Sequence, residues 1–262
     1  MRGAGPKGAT VADRALVFGL HAVDAVLNNS PERILELWLS SGRDDPKMKS
    51  LRARAEAAGV RAQAATAEAL QRLVGDVTHQ GVAAAIRPLA PWTDNDLLRA
   101  VKNSEAPVLL LVLDGVSDPH NLGACLRSAD AAGVLALVLP KDRSAHLDAV
   151  VRKVAAGAAE FVPVATVTNL SRTLEALKAL NVWVVGTDGE ADQSLFTADL
   201  NRPLALVLGA EGAGLRRLTR EKCDFLVKIP MAGQVDSLNV SVAAGIALFE
   251  ARRQRAKLTQ TP

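Results

Sequence analysis

The sequence predicts an α/β protein in two parts, a large domain with a parallel sheet preceded by a small α/β domain. Three observations carry this. From residue 107 onward, short apolar runs alternate with segments of helical period, the pattern of a parallel sheet covered on both faces. Residues 15–88 show a similar alternation on a smaller scale. Between the two, Pro88, Pro91 and Pro107 punctuate a polar stretch, and 89–106 reads as a linker.

The small domain starts with a strand at Leu16–Leu20 and a helix at His21–Leu27. Ile34–Leu39 is a strand, and Lys47–Ala58 is a basic amphipathic helix that stops at Gly59. Val60–Ala64 is extended, Ala67–Val74 helical, and Gly81–Ile86 an apolar strand closed by Pro88. The basic helix carries Lys47, Lys49, Arg52 and Arg54, with Arg43 before it and Arg61 after. A solvated face and an RNA backbone contact are both open readings. His79 and Gln80 read as turn residues, and Leu97–Lys102 as a turn or two of helix within the linker.

In the large domain the expected strands are Val108–Asp114, Val134–Leu139, Phe161–Val164, Val182–Gly186, Leu204–Leu208 and Leu226–Ile229. The clearest helices are Ala145–Ala156, Leu170–Leu180 and Asn239–Arg253. Another helix follows Asp114: Asp118 is placed to cap it, Pro119 fits its first turn, and Gly133 is placed to end it.

Composition bounds the function. The 262 residues are 49% hydrophobic, enough for packed cores. Aromatic residues are 3% with no Tyr, so base stacking is not a widespread binding device here. A formal charge of +3 permits an RNA partner without specifying one. Cys125 and Cys223 lie far apart in apolar segments and read as buried free thiols of a reducing compartment, the cytoplasm. The Cys and His residues show no metal spacing, and no run has the length and purity of a membrane helix. Residues 1–14 read as a loose basic tail without a cleavable leader.

Three stretches carry candidate chemistry. In the first, Asn121 falls at a helix start and Arg127 lies further along among small apolar residues. In the second, a strand runs into Gly209, followed by Glu211 and Gly214. Such glycines let a backbone approach a ligand. Glu211 argues against a phosphate and for hydroxyls or a cationic centre. In the third, Ile229 and Pro230 end a strand, and Ser237, Leu238 and Asn239 sit where a loop enters a helix. Helix capping and ligand binding both suit that position. A Rossmann oxidoreductase is disfavoured, because residues 114–123 hold no Gly-x-Gly-x-x-Gly turn.

In this order the three stretches resemble the three motifs of the SpoU (TrmH) family of RNA 2′-O-ribose methyltransferases, within the SPOUT superfamily. VFGLHAVDAVL near the start and HQGVAAAI at 79–86 resemble the family's substrate-binding domain. The resemblance implies a trefoil-knotted catalytic domain over 107–262 and an L30e-like α/β domain for substrate RNA over 15–88. It implies S-adenosyl-L-methionine as cofactor, with Gly209, Ile229 and Leu238 lining its pocket largely through backbone groups. It implies a homodimer, with the C-terminal helix and Phe249 as part of the interface. The implied reaction methylates the ribose 2′-oxygen of a guanosine in large-subunit (23S) rRNA. Asn121, Arg127, Glu211, Ser237 and Asn239 would be its catalytic set. An arginine keeps its charge, so Arg127 reads as a cation that stabilises the developing alkoxide or orients a phosphate. DNA lacks the 2′-hydroxyl and is not an expected substrate. No membrane partner is expected. A tRNA methyltransferase and a non-catalytic RNA-binding assembly factor of the same fold stay open as alternatives.

Overall fold

In the computed structural model, which describes residues 14–75 and 77–258, the chain divides after Leu89 into two units. The first contains β1 (Ala15–Phe18), α1 (Leu20–Asn29), β2 (Ile34–Ser40), α2 (Pro46–Ala57), β3 (Ala62–Ala65), α3 (Ala67–Val74) and β4 (Val82–Ile86). Its sheet runs β1-β4-β2-β3. β4 is antiparallel to both neighbours, and β3 is parallel to β2 and forms an edge. β4 is an unbroken apolar run because it is buried along its whole length.

α2 starts where Asp45 accepts from the backbone N–H groups of Lys47 and Met48, with Pro46 in the first turn. It buries Met48, Leu51 and Ala55. Its basic face is only partly free. Arg43 pairs with Asp45, Lys49 with Asp44 and Arg54 with Asp24. His79 Nδ1 accepts from Gly81 N, and Gln80 Oε1 accepts from Leu20 N, so both serve the turn. Arg14, expected in the tail, pairs with Glu36. The rest of that tail, residues 1–13, lies outside the described residues.

The second unit contains α4 (Asp94–Lys102), β5 (Leu109–Asp114), α5 (Pro119–Ala132), β6 (Ala136–Pro140), α6 (Ala149–Ala155), β7 (Val164–Val167), α7 (Leu170–Ala179), β8 (Trp183–Thr187), β9 (Gln193–Ser194), β10 (Leu204–Gly209), α8 (Arg217–Lys222), β11 (Phe225–Lys228) and α9 (Val240–Leu258). Its seven strands run β7-β6-β5-β10-β8-β11-β9, and every pairing is parallel. Each face carries a core. α5, α6 and α9 pack on one, and α4 and α7 on the other. Among the described residues no helix is long and apolar enough to cross a membrane.

Four expectations change. The stretch 89–106 is not a free linker: α4 buries Leu97 and Val101 in the second unit, and Trp92 bridges to Ala165. A capping box between Thr93 and Asp96 starts that helix. β7 lies later than Phe161–Val164, because Ala158–Glu160 form a 3-10 turn whose buried Glu160 pairs with Arg152. α6 begins at residue 149 rather than 145, where Asp148 Oδ1 accepts from Val151 N. β9 and α8 were not expected. α8 is polar apart from the exposed Leu218 and is held by ion pairs such as Arg220–Asp188 and Lys222–Glu175, which leave no periodicity to read.

Candidate active site

Parallel strands bring the loops that follow them to one edge of the sheet, where α/β proteins bind ligands. β5 ends at Asp114, which is buried and accepts from the backbone N–H of Arg216 at 3.0 Å. The Arg216 guanidinium lies 3.3 Å from its second oxygen. The loop after β10 is thereby fastened to the end of β5. The same loop closes on itself: Gly214 N donates to Ala210 O at 2.9 Å. A Cβ on Gly209 would lie 2.0 Å from the Gly214 carbonyl carbon, so only glycine fits there.

Glu211 stands on that loop and meets two distant parts of the chain. Asn239 Nδ2 donates to Glu211 Oε1 at 2.6 Å and to Asn121 Oδ1 at 2.8 Å. Val240 N donates to the same Glu211 oxygen at 3.3 Å. Asn239 Oδ1 in turn accepts from Ser241 N at 2.9 Å and Ser241 Oγ at 2.6 Å. Asn239 therefore both caps α9 and joins the other two residues, so the two sequence readings of this position are compatible. The Glu211 carboxylate meets the first N–H of α9, that of Val240, where the helix dipole favours negative charge. Asn121 is buried at the start of α5, which Asp118 and Pro119 begin as expected.

Beside this network lies a cavity of about 900 Å³. Its walls are the loops after β8, β10 and β11, including Thr187, Glu190, Leu215, Ile229, Ser237 and Leu238. Gly209 is not among the lining residues; it sets the closure of the loop that forms one wall. Ser237 is exposed on the rim, outside the hydrogen-bonded network. Arg127 also stands apart. It lies six residues beyond Asn121, about 9 Å along the helix axis, and its side chain is exposed. Among the described residues it has no hydrogen-bond or ion-pair partner.

Sequence reasoning missed Asp188 and Glu190 in the cavity wall and the fastening pair Asp114–Arg216. The pair Asp188–Arg220 closes one side of the cavity. The turn Thr187-Asp188-Gly189-Glu190 directly after an apolar strand was the available signal.

Residues 108–249 match the SpoU rRNA Methylase family, and residues 16–92 match the model described as RNA 2′-O ribose methyltransferase substrate binding. The 23S rRNA (guanosine-2′-O-)-methyltransferase RlmB of Pectobacterium atrosepticum is 54% identical over 240 residues, covering 92% of this chain and 98% of that protein. The protein of the same name from Escherichia coli is 53% identical, with the same coverage. Among solved structures, the SpoU methyltransferase AviRb from Streptomyces viridochromogenes, in complex with the cofactor AdoMet, superposes with a TM-score of 0.70 at 26% identity. That match covers 94% of this chain and 92% of the other. On motifs, fold and relatives together, the chain belongs to the SpoU rRNA methylase family.

Proposed function

We propose that this chain methylates the ribose 2′-hydroxyl of a guanosine in 23S rRNA, using S-adenosylmethionine. The observation that carries it is the meeting of Asn121, Asn239 and Glu211 beside a cavity of about 900 Å³. That volume suits a cofactor-sized ligand. Ile229, Leu238 and Leu215 offer apolar surface to an adenine, and the exposed backbone of 231–237 offers polar groups. Glu190 and Asp236 in the wall suit hydroxyls or a cationic centre. When bound, the cofactor supplies an electrophilic methyl on a sulfonium.

The chain's own residues would then act on the acceptor. The Asn239 amide holds the Glu211 carboxylate and the Asn121 carbonyl in one fixed arrangement, so neither reorganises during reaction. Arg127, charged and unpaired among the described residues, would stabilise negative charge on the 2′-oxygen as its proton passes to water and the methyl leaves its sulfur, or would hold the adjacent phosphate. Ser237 and Leu238 complete the rim. We further propose that the segment after β11 threads a loop as a knot; the placement of β10 between β5 and β8 and the packing of α9 on α5 support this. Val242 and Phe249, seven residues apart on α9 and about half exposed, support a homodimer through that helix. Residues 15–88 would bind the rRNA, 107–262 would hold the catalytic site, and an rRNA substrate would put the work in the cytoplasm. DNA would not react.

The test uses the purified chain, labelled S-adenosylmethionine and a 23S rRNA fragment. A single methylated guanosine should appear as a gap in an alkaline ladder, because a methylated 2′-oxygen cannot attack its phosphodiester. A 2′-deoxy substitution at that nucleotide should abolish transfer. Transfer to the deoxy substrate, or a ladder without a gap, would show that the acceptor is a base or that the chain binds without catalysis.

A further inference from the structure

The basic helix α2 and its flanks carry six cations, and the structure separates them. Arg43, Lys49 and Arg54 are committed to Asp45, Asp44 and Asp24. Lys47, Arg52 and Arg61 are exposed, and among the described residues their side chains have no partner. Lys47 faces a hollow beside His21 and Asp24. Arg52 and Arg61 instead line one groove, of about 290 Å³, together with Glu56, Gln63 and the β3 backbone. They reach it from different elements, α2 and the turn before β3. Among the described residues β3 pairs only with β2, so one row of its backbone groups faces outward. The other side of the same strand differs. There the hollow is bordered by Glu32, Glu36 and again Arg61, and Glu36 is bound to Arg14.

We propose that the Arg52–Arg61 groove is a phosphate-backbone site for a single-stranded segment of the substrate RNA, a reading that rests on the function proposed above. Two unpaired guanidiniums on one groove match phosphate oxygens in charge and fork geometry. The α2 side of β3 brings Arg52 and Arg61 together against one carboxylate, Glu56, whereas the Glu32–Glu36 side has Arg61 alone and no excess of positive charge. A peptide strand added to the β3 edge is the competing occupant. Strand addition needs pockets for alternate side chains. β3 offers only Ala62, Gln63, Ala64 and Ala65, with Leu39 and Val60 as apolar neighbours. Glu56 sits in the groove, so the site favours phosphates held by the two arginines over a free anion at its centre.

The experiment uses the full chain with Arg52→Gln and Arg61→Gln, singly and together, and Lys49→Gln as the paired-cation control. Binding to a 23S rRNA fragment is measured across a salt series, beside steady-state methyl transfer and calorimetry with S-adenosylmethionine. The double variant should lower the salt slope by about 1.4, from two single-strand phosphate contacts. Each single variant should lower it by about 0.7. The KM for RNA should rise about tenfold or more in the double variant, with kcat at saturating RNA and cofactor affinity unchanged. Lys49→Gln should leave the slope in place. A double variant with wild-type slope and KM overturns the proposal, and so does a loss of slope in Lys49→Gln equal to that in Arg52→Gln. Circular dichroism of each variant confirms the fold. A wild-type chain that transfers no methyl to any rRNA sinks the enzymatic reading alone, because the salt slopes still decide the groove.

Discussion

Two loops wall the same cavity, and they are built differently. The loop from Gly209 to Arg216 is fastened: its backbone closes at Gly209 and Gly214, and Asp114 holds Arg216 at the end of β5. The loop from Pro230 to Leu238 has no such tie. Among the described residues none of its positions makes a hydrogen bond, and all but Leu238 are exposed. It is anchored only at its ends, by β11 and by Asn239. Segments with few buried contacts and exposed backbone groups open at low cost. One wall is therefore preset, and the other keeps its polar groups for a ligand. A site built this way fixes Glu211 before anything binds and gains the remainder of its shape on binding.

Each variant below tests that contrast. The largest effect is expected from Gly209→Ala. A methyl there meets the Gly214 carbonyl at 2.1 Å and Leu215 N at 2.4 Å, so backbone must move. Stability should fall by about 3 kcal/mol, near the upper end for overpacking, read as a lower urea midpoint, and cofactor affinity should fall with it. An unchanged midpoint would mean that the first loop is no firmer than the second.

Asn239→Ala comes next. It removes the amide that joins Glu211 to Asn121 and the oxygen that caps Ser241. Loss of a cap and its bonds costs about 1–2 kcal/mol. Methyl transfer should nearly vanish while calorimetry still detects cofactor binding. Retained turnover would separate the network from the chemistry.

Gly233→Ala is the counterpart of Gly209→Ala in the second loop. A Cβ there meets nothing within 4 Å. Stability should move by under about 0.5 kcal/mol, as at an unconstrained surface site, whereas cofactor affinity should fall measurably because Gly233 lines the cavity. A stability loss as large as that of Gly209→Ala would erase the contrast.

The smallest signal is chemical. Burial pushes the Cys125 and Cys223 thiols up to about 12. At pH 8 about one thiol in ten thousand is then thiolate, the reactive form. Cys223 and Leu215, the latter from the fastened loop, both crowd Gly186. Native protein should leave a disulfide reagent nearly unreacted at pH 8, and urea should release two thiols. Rapid reaction of Cys223 alone in native protein would show that the first loop opens.

The sequence by itself determined what is local. The ends of α5 were legible at Asp118 and Gly133, because a cap and a left-handed terminator act within one turn. Five strands of the larger sheet, β5, β6, β8, β10 and β11, were legible as apolar runs, since burial leaves little alternation to confuse them, whereas β7 was placed too early and the two-residue β9 was not seen. The motif residues were legible through their order, which resemblance to a family supplied. Tertiary structure alone decided who meets whom. Asn239 is 118 residues from Asn121 and 28 from Glu211, and Arg216 is 102 residues from Asp114. No period or propensity carries a pairing across such distances. The helix α4 looked like linker because its polar caps dominate the composition, and only packing showed that Leu97 and Val101 belong to a core. Which arginines of α2 are free was equally hidden, since a charge reads the same in sequence whether or not an aspartate folds back upon it.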